Sequence, residues 1–125
     1  MSFDIDMLLV EDEVIIGMYT VEQLSSIGVK AVRHVISGEK ALASIEEKKP
    51  DLILMDIGLS GKYDGIETAE IINRDNSIPI VFLSSYDDSA MKERISRQKP
   101  LAYLSKPLDL KQLSSLISKE FPVHS

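Results

Sequence analysis

The chain has 125 residues, 44% of them apolar, and carries 14 Lys+Arg against 20 Asp+Glu for a formal net charge of −6. That length suits one domain with a real core, and the composition argues against disorder. The acidic balance argues against nonspecific nucleic-acid binding, and the absence of cysteine excludes disulfides, Cys-ligated zinc, iron–sulfur clusters and thiol catalysis. In chain order, Met7–Val10 reads as a first strand. Val14, Met18 and Val21 follow at i, i+4, i+7, the stripe of a helix that Gly28 would stop. Val29–Val35 is a second strand, and Ala41, Leu42 and Ile45 mark a second helix. Leu52–Met55 is a third strand. Ile66, Ala69 and Ile72 mark a third helix, opened by Asp64 with Glu67 three residues on, as in a capping box. Ile80–Leu83 is a fourth strand. Across Asp87–Lys99 only Ala90, Met91 and Ile95 are apolar, which predicts the least firmly held helix. Ala102–Leu104 is a fifth strand, and Leu110, Leu113, Ile117 and Phe121 stripe the last helix, opened by Asp109 with Gln112.

The first, third and fourth strands are almost continuously apolar, as strands covered on both faces are. Five βα units imply an α/β fold: a parallel sheet between two helical layers, joined by right-handed crossovers. Five strands suit the flavodoxin-like order 2-1-3-4-5. No apolar run approaches the ~18 residues of a membrane span, and the acidic start Met-Ser-Phe-Asp-Ile-Asp does not resemble a signal peptide. The expectation is a single cytoplasmic domain over 1–125 with no output domain, no membrane and no direct nucleic-acid contact.

In such a sheet, ligands bind outside the carboxyl ends of the strands. Glu11, Asp12 and Glu13 follow the first strand, Asp56 the third, Ser84 and Ser85 the fourth, and Ser105, Lys106 and Pro107 the fifth. The order 2-1-3-4-5 gathers these tips into one crevice. Helix capping would be the plain role for Glu11 and Asp12 alone. Clustered carboxylates, however, are costly unless one takes a proton or a cation sits between them. Oxygen-only ligands suit a hard ion, best Mg²⁺. Asp56 leaves a buried strand at a fixed position and can act as a nucleophile toward a phosphoryl group. Lys106 supplies positive charge and Ser84 a hydroxyl, which together make a phosphoryl-transfer site.

These residues resemble the response-regulator receiver domain from about Asp6 to Phe121. The motifs are LLVEDE (8–13), DLILMDIGL (51–59), DGIE (64–67), PIVFLSS (79–85) and AYLSKP (102–107). The resemblance implies that Asp56 is the phospho-acceptor. It implies that Asp12 and Asp56 ligate Mg²⁺ with the backbone carbonyl of Gly58, that Glu11 helps through water, and that Lys106 and Ser84 contact the phosphoryl group. The implied phosphodonor is a phosphohistidine on a sensor histidine kinase or phosphotransfer protein. Ser84 and Tyr103 correspond to the switch pair, and the fourth helix, fifth strand and fifth helix to the readout face, where homodimers can form on phosphorylation. Gly58 and Tyr86 flank the path of a hydrolytic water and are expected to set the phosphoryl lifetime.

There are departures from the family pattern. Lys99-Pro100-Leu101-Ala102 stands where Gly-Ala often precedes the fifth strand, so that turn must be built differently. Ser85 replaces a common alanine. Ser60-Gly61 stand where proline is common, which predicts a looser loop. A haloacid-dehalogenase-type phosphatase would want an Asp where Gly58 stands, and a flavin binder would not carry Glu11-Asp12-Glu13 in its phosphate loop. A pseudo-receiver that only scaffolds a partner is opposed by the complete residue set. His34 and His124 receive no role.

Overall fold

The computed structural model describes residues 2–121 and 123–124, with no side-chain description at 86, 87, 89, 123 and 124. The strands are β1 (Ser2–Val10), β2 (Val29–Val35), β3 (Leu52–Asp56), β4 (Ile80–Ser84), β5 (Ala102–Ser105) and β6 (Val123–His124). The helices are α1 (Val14–Ser26), α2 (Gly38–Glu47), α3 (Gly65–Asp75), α4 (Lys92–Arg97) and α5 (Leu110–Glu120). The sheet runs β2-β1-β3-β4-β5, with all these neighbours parallel, as the alternation of apolar runs and helical stripes implies. This is the flavodoxin-like arrangement. No described helix is long and apolar enough to cross a membrane.

Side chains alternate across each strand, and the core divides accordingly. Leu8, Val10, Ile53, Met55 and Phe82 face α2 and α3 through Ala41, Ile45, Ile66, Ala69 and Ile72. Met7, Leu9, Leu52, Leu54, Val81 and Leu83 face α1 and α5 through Leu24, Leu113 and Ile117. Each such large side chain stabilises the fold by about 1.5–3 kcal/mol on burial. The central strands are thereby fixed in register, and so are the polar residues at their ends.

Three elements differ from expectation. β1 begins at Ser2 rather than Met7, because Phe3 and Ile5 alternate with exposed residues and are themselves buried. Its first residues also pair antiparallel with β6, a strand not expected from the sequence. The segment after β4 is a 3₁₀ helix over Tyr86–Met91, and α4 keeps only six residues with Ile95 alone buried. With so few apolar side chains, a long helix has nothing to pack. A capping box between Ser85 and Asp88 opens the 3₁₀ turn, and Arg94 reaches Asp64 at the start of α3 at 3.4 Å. The entry into β5 is built by Lys99, which takes a left-handed φ of 49°. That conformation costs a non-glycine residue about 1–2 kcal/mol. The N–H of Leu101 then rejoins the sheet at the Ile80 carbonyl, 2.8 Å away.

Candidate functional site

Four strand ends meet as the topology requires. Past β1, Glu11 is only 3% exposed. Its N–H donates to the Val35 carbonyl at 3.1 Å, and its carboxylate turns back to accept the Glu13 N–H at 3.1 Å. Asp56 closes β3 and is 5% exposed. Its Oδ1 accepts the Gly58 N–H at 3.1 Å. Ser84 closes β4 and is buried. The N–H of Lys106 donates to the Ser84 carbonyl at 2.8 Å, so the backbone holds the lysine over the end of β4. Its ammonium lies 3.2 Å from Asp56 Oδ1 and 3.7 Å from Glu11 Oε1.

Glu11, Asp12 and Asp56 each offer a carboxylate oxygen within 4.8 Å of the others. One lysine cannot neutralise three such carboxylates. Burial pushes Glu11 from the usual 4.5 to about 7; the Asp56 charge adds to the rise, while the Glu13 N–H and Lys106 oppose it. Burial also acts to raise Asp12, but the N–H and hydroxyl of Ser60 outweigh it and hold its carboxyl below 3.8. For Lys106, burial favours the neutral amine, yet the Asp56 carboxylate prevails and raises it above 10.5. The site thus has two ways to relieve its charge: a proton on Glu11 or a cation. The donor set is all oxygen, with no histidine or cysteine, and fits a hard divalent ion such as Mg²⁺.

The raised Glu11 gives a pH dependence with a definite sign. Between 4.5 and about 7 the folded protein keeps a proton that the unfolded chain has released, so stability falls as pH rises through that window. Asp12 acts below 3.8 and Lys106 above 10.5, outside it. In chelator, the urea midpoint is expected to be lower at about pH 8 than at about pH 5, and added Mg²⁺ should shrink the difference. Equal midpoints in chelator would remove the buried glutamate from this account.

The structure brings Glu11, Asp12, Asp56, Ser84 and Lys106 together, and places Gly58 beside Asp56. Among the described residues, a Cβ on Gly58 would meet only Asp56 Oδ1, at 3.9 Å. Tyr103 is 37% exposed, and its hydroxyl accepts the Ser84 hydroxyl at 2.8 Å, so the two are in direct contact. The side chain of Tyr86 lies outside the described residues. Two further residues had no role from sequence. Ser60, expected in a looser loop, donates its N–H and hydroxyl to Asp12 Oδ2 at 3.0 and 2.9 Å. Proline in its place could make neither bond, so the departure at this position was itself the signal. His34 reaches the Glu11 carbonyl, and nothing in its local sequence announces it.

Comparison with known proteins gives a consistent result. The family model described as response regulator receiver domain matches residues 7–118. The chain is 34% identical over 106 residues to the transcriptional regulatory protein PdtaR of Mycobacterium tuberculosis, covering 85% of this chain and 51% of that protein. It is 30% identical to the heme response regulator HssR of Staphylococcus haemolyticus, covering 85% of this chain and 46% of that one. The chain therefore spans about half the length of these curated relatives. Among solved structures, the signal receiver domain of a modulated diguanylate cyclase from Desulfovibrio desulfuricans G20 superposes with a TM-score of 0.83 at 32% identity, over 92% of this chain and 91% of that one. The receiver domain of NtrX from Brucella abortus gives 0.78 at 27% identity, over 92% and 96%. Fold, strand-end residues and family match agree, and the chain belongs to the response regulator receiver domain family, the signalling modules of two-component systems.

Proposed function

We propose that the chain accepts a phosphoryl group on Asp56 from a phosphohistidine of a histidine kinase or phosphotransfer protein. The observation that carries this reading is the contact of Asp56 with Lys106 inside a cluster of three carboxylates. Asp12 and Asp56, the backbone carbonyl of Gly58, and Glu11 through water would hold Mg²⁺. When bound, the ion supplies the positive charge that a carboxylate needs to approach a phosphoryl group.

The chain's own residues do the rest. An Asp56 oxygen attacks phosphorus, an O–P bond forms, the N–P bond breaks, and the electron pair leaves with the imidazole. Lys106, already 3.2 Å from Asp56 Oδ1, neutralises charge on the transferred oxygens. The Ser84 hydroxyl turns toward them and leaves Tyr103, which passes the change to the face formed by α4, β5 and α5. The open side of Gly58 admits the water that later hydrolyses the aspartyl phosphate. The exposed apolar residues of α1 beside Glu11, Ile15, Met18 and Tyr19 above all, offer a donor protein a surface. Incubation with Mg²⁺ and a small acyl phosphate, read by intact mass, is expected to give one phosphoryl adduct per chain, and excess chelator should abolish it. An unmodified mass at saturating donor would refute the assignment.

A further inference from the structure

His34 sits on β2, the edge strand, which contributes none of the site carboxylates. Its Nε2 nevertheless lies 2.8 Å from the backbone carbonyl of Glu11. A carbonyl oxygen only accepts, so Nε2 carries the hydrogen. The ring also occupies a prepared seat. A Cβ on Gly17, in the first turn of α1, would overlap Cε1, Nε2 and Nδ1 of this imidazole. Gly17 is therefore the residue that lets the ring lie against α1. The N–H of Glu11 donates to Val35, the next residue of β2, at 3.1 Å. Both ends of Glu11's backbone are thus held by adjacent residues of one strand, while its side chain is held by the Glu13 N–H.

We propose that His34 is a positioning residue: its Nε2–H bond to the Glu11 carbonyl, made in the seat left open by Gly17, fixes the turn that presents Glu11 and Asp12 to a divalent cation. The inference rests on the metal reading given above. A ligand-bearing turn that can sample other conformations must be ordered when the ion binds, and that ordering weakens affinity. β2 would therefore supply the site's rigidity without contacting its ligand.

The test compares the full chain with His34→Ala and with His34→Gln, whose side-chain amide can donate to the same carbonyl. The first readout is Mg²⁺ affinity by calorimetry. The alanine variant is expected to bind about fivefold or more weakly, with the glutamine variant within about twofold of wild type. The second readout is amide exchange in the metal-free protein. Exchange at Asp12 and Glu13 is expected to quicken about tenfold in the alanine variant and to stay near wild type in the glutamine variant. An alanine variant that binds Mg²⁺ as wild type does overturns the proposal. So does equal impairment of both variants, since that would report lost ring packing rather than the hydrogen bond. A wild-type protein that ignores millimolar Mg²⁺ overturns the metal reading instead, and the exchange comparison then decides the role of His34 by itself.

Discussion

Asp56→Asn is expected to take up no phosphoryl group under conditions that fully modify the wild type. The amide has nearly the volume of the carboxylate but lacks the charged oxygen that attacks phosphorus. Its effect on the folded protein should be small or favourable. Part of Glu11's upward displacement comes from the neighbouring Asp56 charge, so removing that charge lets Glu11 ionise more easily. Lys106 keeps Glu11 Oε1 as a partner at 3.7 Å. In chelator near pH 8, the urea midpoint of the variant should match or exceed that of wild type, while Mg²⁺ affinity falls about tenfold or more. Intact mass, urea titration and calorimetry together separate this outcome from simple unfolding. An adduct of undiminished yield would move the acceptor elsewhere.

Gly65→Ala should be strongly destabilising. A Cβ there would overlap the carbonyl oxygen of Asp56 and stand 2.8 Å from Ile57 Cα and 2.9 Å from the Asp56 carbonyl carbon. These are backbone atoms and cannot rotate aside. The N–H of Gly65 donates to the Ile57 carbonyl at 3.0 Å, so α3 starts against the very peptide that follows Asp56. Helix propensity alone would favour alanine by up to about 1 kcal/mol. The clash has the opposite sign, and a loss of about 3 kcal/mol or more is expected in the urea midpoint. Gly58→Ala serves as the control. Among the described residues its new methyl would meet one carboxylate oxygen, at ordinary van der Waals distance, and stability should change by less than about 1 kcal/mol.

The sheet order and the meeting of Asp12, Asp56, Ser84 and Lys106 were legible because apolar runs such as Leu52–Met55 end abruptly in polar residues. Burial on both faces then leaves only one register for those ends. The first half of β1 was not legible because Phe3 and Ile5 alternate with polar residues and form no continuous apolar run. The broken helix after β4 was half legible: sparse apolar content gave its weakness but not its 3₁₀ geometry. Ser60 could have been read from its N–H, which proline lacks. The contact of His34 with Glu11 could not. It depends on the distance of closest approach between β2 and α1 at Gly17, a tertiary quantity that no local pattern encodes.

A hydroxyl has a single proton, and the Ser84 hydroxyl is already engaged, with the Tyr103 hydroxyl at 2.8 Å and the Ser85 carbonyl at 3.3 Å. Handing it to an incoming anion trades one hydrogen bond for another, and such a bond is worth about 1 kcal/mol net, or roughly a fivefold bias. Driving a two-position equilibrium from one extreme to the other takes about 5.5 kcal/mol. On the proposed function, breaking the serine–tyrosine tether would supply only a minor share of such a shift. The larger share would have to come from the anion's other contacts, of which Lys106, 3.2 Å from Asp56 Oδ1, is the nearest.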